Sequence, residues 1–113
     1  MKSTISIDVT LGEDKMPEKI EWIAPDGGVA EPQTAKGLLL GLWDGQEKTA
    51  LRIDLWTKKM MVDEMIDFYY QSLAGMADTY ERATSNAELS NELKEFAREF
   101  HKKAMEALAK QVS

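Results

Sequence analysis

The side chains that could carry out acid–base or metal chemistry are few. Asp63, Glu64 and Asp67 stand close together in the chain, and His101 is the only histidine. A carboxylate pair in catalysis needs a cleft with two different environments, whereas the helix dipole already explains acids in a first helical turn. The positions three and four residues from His101 hold alanine, arginine and methionine, none of which suits a metal ion. We therefore expect no catalytic residue and no metal site, and these residues make an enzyme the weaker of the functional classes.

The remaining motifs that could do chemistry give the same expectation. The chain has no cysteine, which excludes disulfides, thiolate catalysis and thiolate metal ligands. The glycines in "DGG" (26–28) and "DGQ" (44–46) indicate turns, because neither has the spacing of a phosphate-binding loop.

A binding surface is the better prediction, and it lies on one short strand. Leu51, Ile53 and Leu55 alternate with polar and aromatic residues, so the latter share the opposite side of the strand. If the aliphatic side faces the core, the other side presents a tryptophan next to an arginine, a frequent anchor at protein interfaces. The candidate interaction surface is Arg52, Asp54, Trp56 and Lys58. The alternative is that Trp56 folds into the core, since tryptophan is highly buried on average.

A second candidate surface lies on the first long helix. Met61 and Phe68 stand beside the main apolar stripe of this helix rather than within it. They are the candidate residues for self-association as a homodimer. The alternative is that another helix of the same chain covers them, because contiguous apolar surface in a small domain is normally internal.

Hydrophobic periodicity supplies the elements that would position these surfaces. Residues 3–11 alternate strictly and predict a strand, a second strand follows at 18–24, and Leu51 to Trp56 form a third. Helical spacing predicts one helix near residues 33–42 and two long helices between Val62 and the C-terminus. The element order is ββαβαα, in one α+β domain that spans residues 1–113.

The order of the elements also predicts a topology. A hairpin followed by a helix and a strand usually places the third strand beside the first through a right-handed crossover. We expect a three-stranded sheet, antiparallel or mixed, with strand order 2-1-3. The polar residues on one side of the first strand indicate that helices cover only one face.

Charge and hydropathy limit the kinds of partner. The net charge is −6 and neither half of the chain is basic, which disfavours nucleic acid. The longest apolar run, "LLLGLW" from Leu38, is far shorter than the roughly 20 residues of a membrane span. The N-terminus has no apolar segment typical of a signal peptide. We therefore expect a cytoplasmic protein that does not insert into a membrane.

Four blocks of sequence resemble one known family. They are "PEKIEW" (17–22), "LRIDLWTK" (51–58), "VDEM" (62–65) and "MADTYERAT" (76–84). In this order they are similar to the gliding motility-associated GldC family of gliding bacteria. The resemblance covers most of residues 17–84, and only the helical character matches in residues 85–113.

The resemblance implies a small cytoplasmic protein without enzymatic activity or cofactor. Such a protein accompanies the gliding and type IX secretion machinery, so the expected function is that of an accessory protein acting through protein–protein contact. The alternative from another class is a small-molecule-binding protein, or an uncharacterised enzyme, with a pocket between sheet and helices. Tyr69, Tyr70 and Tyr80 are the candidates to line that pocket.

Overall fold

A computed structural model describes residues 1–112 of the chain. It contains five strands and two long helices, which confirms the α+β class. The chain divides into two compact units: a strand unit, residues 1–60, and a helical unit that begins at Met61. A single domain over residues 1–113, with helices on one face of the sheet, stays a prediction.

The first sheet of the strand unit has three antiparallel strands. These are β1 (Ser6–Leu11), β2 (Pro17–Ala24) and β3 (Val29–Ala35), in the spatial order β1-β2-β3. Ile20 lies on the central strand, opposite Val9 of β1 and Ala35 of β3. It is only 1% exposed, so this position is the interior of the strand unit.

The second sheet is a long hairpin of two eight-residue strands. They are β4 (Gly37–Asp44) and β5 (Thr49–Trp56), paired in register from Gly37–Trp56 to Asp44–Thr49. The Asp44 carboxylate accepts the backbone N–H groups of Gln46 and Glu47 at 2.9 and 3.1 Å, and Lys48 takes a left-handed φ of 56°. Such side-chain capping by aspartate is a usual way to close a tight turn.

The predictions of a helix over residues 33–42 and of the strand order 2-1-3 are therefore wrong. Residues 33–42 form the end of β3 and most of β4, and the predicted third strand pairs with β4 rather than with β1. The leucines of "GLLLGLW" satisfy both a helical and an alternating pattern. Gly37 and Gly41 are unfavourable in a helix. The segment instead forms a strand because β5, which follows the turn at Asp44, pairs with it.

The helical unit is an antiparallel hairpin of α1 (Val62–Thr84) and α2 (Ala87–Val112). Ser85 ends α1 in a left-handed conformation with φ 60°, and the Asn86 side chain accepts the N–H of Leu89 at 3.0 Å at the start of α2. The seam between the helices is made largely of small buried residues. These are Ala77, Ser90 and Ala97, joined by Ile66.

The small residues let the two helices approach closely. The Ser90 hydroxyl donates a 2.8 Å hydrogen bond to the backbone carbonyl of Ala77, a contact between one helix's side chain and the other's main chain. Since little volume is left beside Ala77, Ser90 and Ala97, the aromatic side chains of both helices lie outside this part of the seam. This arrangement decides where the aromatic residues of the helical unit are found.

Candidate interaction surface

One face of the β4–β5 hairpin carries both of its tryptophans. Residues directly opposite in an antiparallel pair share a face. The pairs Gly37–Trp56, Leu39–Asp54, Gly41–Arg52 and Trp43–Ala50 therefore lie on one side. We call the two tryptophans and the two charged side chains of this side the tryptophan face: Trp43, Arg52, Asp54 and Trp56.

The centre of the tryptophan face is a two-pronged ion pair. Arg52 donates from Nε and Nη2 to the two carboxylate oxygens of Asp54, at 3.0 and 2.9 Å. A Cβ at Gly41 would lie 3.1 Å from Nη1 of Arg52, so the guanidinium lies close above this glycine. The pair is about half exposed, which limits its contribution to stability, but it fixes the orientation of both side chains.

The two indoles flank this ion pair and are open to solvent. Trp43 is 69% exposed and Trp56 is 54% exposed. Trp56 pairs with Gly37, and Gly37 is six residues before Trp43 on β4. The two tryptophan positions therefore lie about 20 Å apart along the strands. Of the two sequence alternatives for Trp56, the structure shows the exposed one.

The opposite, aliphatic side of the hairpin differs from the expectation. The alternation in β5 predicted that Leu51, Ile53 and Leu55 face the core, but Leu51 and Ile53 are 54% and 52% exposed. Leu55 is half-buried, as are Leu38 and Leu40 on the partner strand. The hairpin therefore presents apolar side chains on both of its faces.

Lys58 does not join the tryptophan face. β5 ends at Trp56, and the buried Thr57 donates its N–H to the Lys36 carbonyl at 2.8 Å. The Lys58 ammonium donates to the Asp14 carboxylate at 2.7 Å, in the turn between β1 and β2. This hydrogen bond lowers the pKa of Asp14 and raises the pKa of Lys58.

Trp43 is the member of the surface that sequence reasoning missed. The helix predicted for residues 33–42 left Trp43 in a loop. The signal that could have found it is the turn "DGQEK", which separates two alternating segments of equal length and is typical of a hairpin. Counting back from this turn places Trp43 opposite Ala50 and on the same side as Trp56.

The candidate self-association residues begin α1. Met61 precedes the helix and is 62% exposed, and Phe68 is half-buried. The helical unit also has a cluster of stacked aromatic rings that includes neither of these residues. Phe100 stacks on Tyr69 of α1 and on Phe96 of its own helix, with ring centroids 6.2 and 6.4 Å apart.

The other flank of the helical hairpin is polar. Asp67 contacts His101 at 2.8 Å, and Asp78 contacts Lys94 at 2.6 Å. The Asp78 carboxylate raises the pKa of Lys94 through this hydrogen bond. Among residues 1–112, no three histidine, aspartate or glutamate side chains are arranged to hold a metal ion.

The three tyrosines considered for a ligand pocket do not share one lining. Tyr69 stacks on Phe100, whereas the ring of Tyr70 lies against His101 with centroids 5.2 Å apart. A cleft of about 770 Å³ lies instead in the strand unit. Its walls include four lysines, and none of the tyrosines lines it.

Comparison with known proteins gives one match. A family model described as gliding motility-associated protein GldC-like matches residues 17–106, from the first residue of β2 far into α2. No curated protein and no solved structure matches the chain. In the part of the chain that the structure describes, no helix is long and apolar enough to span a membrane.

Proposed function

Since the chain belongs to the GldC-like family of gliding motility-associated proteins, we propose that it is a non-enzymatic accessory protein of bacterial gliding that acts through contact with another protein. The tryptophan face is the proposed contact surface. The observation that carries the proposal is the pair of indoles, 69% and 54% exposed, on either side of an oriented ion pair.

The exposed indoles of the tryptophan face leave apolar surface in contact with water, which is unfavourable. Aromatic side chains dominate interface energetics because each can remove a large apolar area from solvent. Tryptophan and arginine are also the residues most enriched among those that carry binding energy. The tryptophan face combines two tryptophans with one arginine on one side of a hairpin.

The ion pair favours a specific partner over a general apolar one. Arg52 and Asp54 hold each other in place through two hydrogen bonds, so neither side chain has to be ordered again on binding. A partner must offer apolar pockets for the indoles and polar groups between them. A partner that offers only apolar surface would leave the ion pair buried without further hydrogen bonds, which is unfavourable.

The hairpin itself gives a second reason for a partner. A two-stranded hairpin is only marginally stable in water, and β4–β5 pairs with no third strand in the described chain. Its apolar side chains are exposed on both faces. A bound protein would stabilise it. We propose that this partner belongs to the gliding and type IX secretion machinery and that the chain itself is cytoplasmic.

The test is complementation of spreading in gliding cells that lack this protein. We expect the wild-type chain to restore spreading and the double variant Trp43→Ala/Trp56→Ala to fail, because it loses both anchors. Leu51→Ala is the matched control, since Leu51 has the same 54% exposure as Trp56 on the opposite side of β5. It should restore spreading.

Protein level and fold are checked alongside, by immunoblotting and by circular dichroism of the purified variants. Restoration of full spreading by the double variant, at wild-type protein level, would refute the tryptophan face as the contact surface. Loss of function in both variants would point to the hairpin as a whole rather than to its tryptophan side.

A further inference from the structure

The helical hairpin has a continuous apolar face that its own two helices leave uncovered. On α1 the spacing of seven and four residues places three side chains on one side, and the same spacing recurs on α2. The stacking of Tyr69 on Phe100 shows that the two sides adjoin. We call the resulting surface the aromatic face: Tyr69, Met76, Tyr80, Leu89, Phe96 and Phe100.

We propose that the aromatic face is the docking surface for a second copy of this chain, so that two helical hairpins pair face to face as a four-helix bundle. The proposal uses no residue of the tryptophan face. It goes beyond the proposed contact with the gliding machinery and stands or falls independently of it.

The exposure of these side chains is large. Phe96 and Met76 are 59% and 56% exposed, and Leu89, Tyr69 and Tyr80 are 44%, 42% and 42% exposed. The whole chain exposes 8866 Å². As a reference, two separate folded proteins, each with half of the chain's 12.7 kDa, would together have an accessible surface of about 7,500 Å². The chain thus carries about 1,400 Å² more surface than this reference.

The side of the hairpin that carries the aromatic face has the size that a stable dimer needs. Helices of 23 and 26 residues are about 35 and 39 Å long. A pair of packed helices is about 20 Å wide, so one side of the hairpin offers about 700 Å². Two copies would bury about 1,400 Å² in total, inside the range of about 1,200–2,000 Å² found for specific interfaces.

The pattern of the face is self-complementary. Large side chains recur at spacings of seven and four residues on two antiparallel helices, and these spacings keep each stripe on one side of its helix, as the packing of four-helix bundles requires. A two-fold dimer brings the same patch of each copy together. The aromatic face fits this requirement because each hairpin supplies one α1 stripe and one α2 stripe.

Charge at the aromatic face does not prevent a second copy from docking. Each chain has a net charge of −6, so two copies repel each other overall, and an uncharged contact face adds no local repulsion to this. None of the six side chains is charged at neutral pH. At the edge, Glu99 and Lys103 border a cavity of about 370 Å³ next to Phe96, Phe100 and Ala104. This cavity offers an apolar socket for a side chain of the second copy, with one charge of each sign at its border.

The test is the mass of the full chain in solution, by sedimentation equilibrium from about 1 to 100 μM. We expect a monomer–dimer equilibrium for the wild type. Phe96→Glu should raise the dimer dissociation constant about 100-fold or more, because it buries an unpaired carboxylate. Met105→Glu is the control, because Met105 is exposed but lies two and a half turns later, on the opposite side of α2.

A second variant on the other helix protects the test from a folding defect. Met76→Lys introduces a charge on the α1 stripe, and it decides the outcome if circular dichroism shows that Phe96→Glu has lost helix. A wild-type chain that stays monomeric at about 100 μM overturns the proposal. So does a dimer that the folded charge variants weaken no more than Met105→Glu does.

Discussion

The two exposed aromatic surfaces of this protein arise from different causes. In the strand unit, Trp43 and Trp56 are exposed because β4 and β5 form a sheet of only two strands, with apolar side chains on both faces. In the helical unit, Tyr69 and Phe96 are exposed because small residues, with Ile66, fill the seam and leave no room there for aromatic side chains. The first surface is exposed because the two-stranded sheet has no further layer packed on it within the strand unit. The second is exposed because the two helices approach each other closely.

The surfaces also differ in chemistry, and this difference indicates different partners. The tryptophan face has a charged pair at its centre, which a partner must match with polar groups. The aromatic face is uncharged and repeats on two antiparallel helices, which suits an identical copy. Exposed aromatic area alone would not separate these cases; the placement of charge within the area does.

The largest expected effect tests whether the interior of the strand unit is where the structure places it. Ile20→Ala should lower the free energy of unfolding by about 3 kcal/mol, because Ile20 is 1% exposed and its loss leaves a cavity. Ile53→Ala removes the same atoms from a position that is 52% exposed, and should cost less than about 1 kcal/mol.

The measurement is denaturant unfolding followed by tryptophan fluorescence. All three tryptophans lie within residues 1–60, so this signal reports on the strand unit. Equal losses for Ile20→Ala and Ile53→Ala would show that something covers the aliphatic side of β4–β5 in solution. The explanation that the tryptophans are exposed because the β4–β5 sheet lacks a covering layer would then be wrong.

The next effect tests the close approach in the helical unit. Ala97→Leu should lower the free energy of unfolding by about 2 kcal/mol, because Ala97 is fully buried in a seam without spare volume. Ala109→Leu makes the same change at an exposed position of α2 and should be nearly neutral.

Circular dichroism at 222 nm during denaturant unfolding measures this difference, since the long helices dominate that signal. A neutral Ala97→Leu would mean that the seam has room to spare. The position of the large side chains outside it would then need another explanation.

The sequence predicted the elements whose periodicity has one interpretation. The alternation of Ile7 and Val9 in β1 and the long stripe of α1 both correspond to observed elements. "GLLLGLW" has leucines that fit two periods, and local spacing could not reveal its partner strand. Strand pairing is a long-range property, so the error in β4 also produced the wrong sheet order and removed Trp43 from the surface.

The candidate site was predicted in part for the same reason. Arg52, Asp54 and Trp56 share a face because alternation within β5 is local and unambiguous. Lys58 continues this alternation in the sequence, but the strand ends before it. Its true neighbour, Asp14, is 44 residues away in the chain and could not be inferred from spacing.

The smallest expected effect concerns this contact between Lys58 and Asp14, which separates Lys58 from the tryptophan face. The hydrogen bond from Lys58 and the N–H of Met16 hold the pKa of Asp14 below its usual value. A lowered carboxyl pKa stabilises the folded state above the unfolded pKa of about 3.9. This stabilisation is lost as the pH falls through the folded pKa. The raised pKa of Lys58 stabilises below about 10.4, and its contribution is lost as the pH rises through the folded value.

An NMR titration of the Asp14 carboxyl carbon tests this contact. In Lys58→Gln the Asp14 pKa should rise towards its usual value but not reach it, because the N–H of Met16 at 3.0 Å still favours the carboxylate. High salt should reduce the difference between wild type and variant, since both side chains are exposed. An Asp14 pKa that is the same in both proteins would show that Lys58 does not bind at the turn in solution. Lys58 would then be available to extend the tryptophan face, and the surface inferred from simple alternation would be restored.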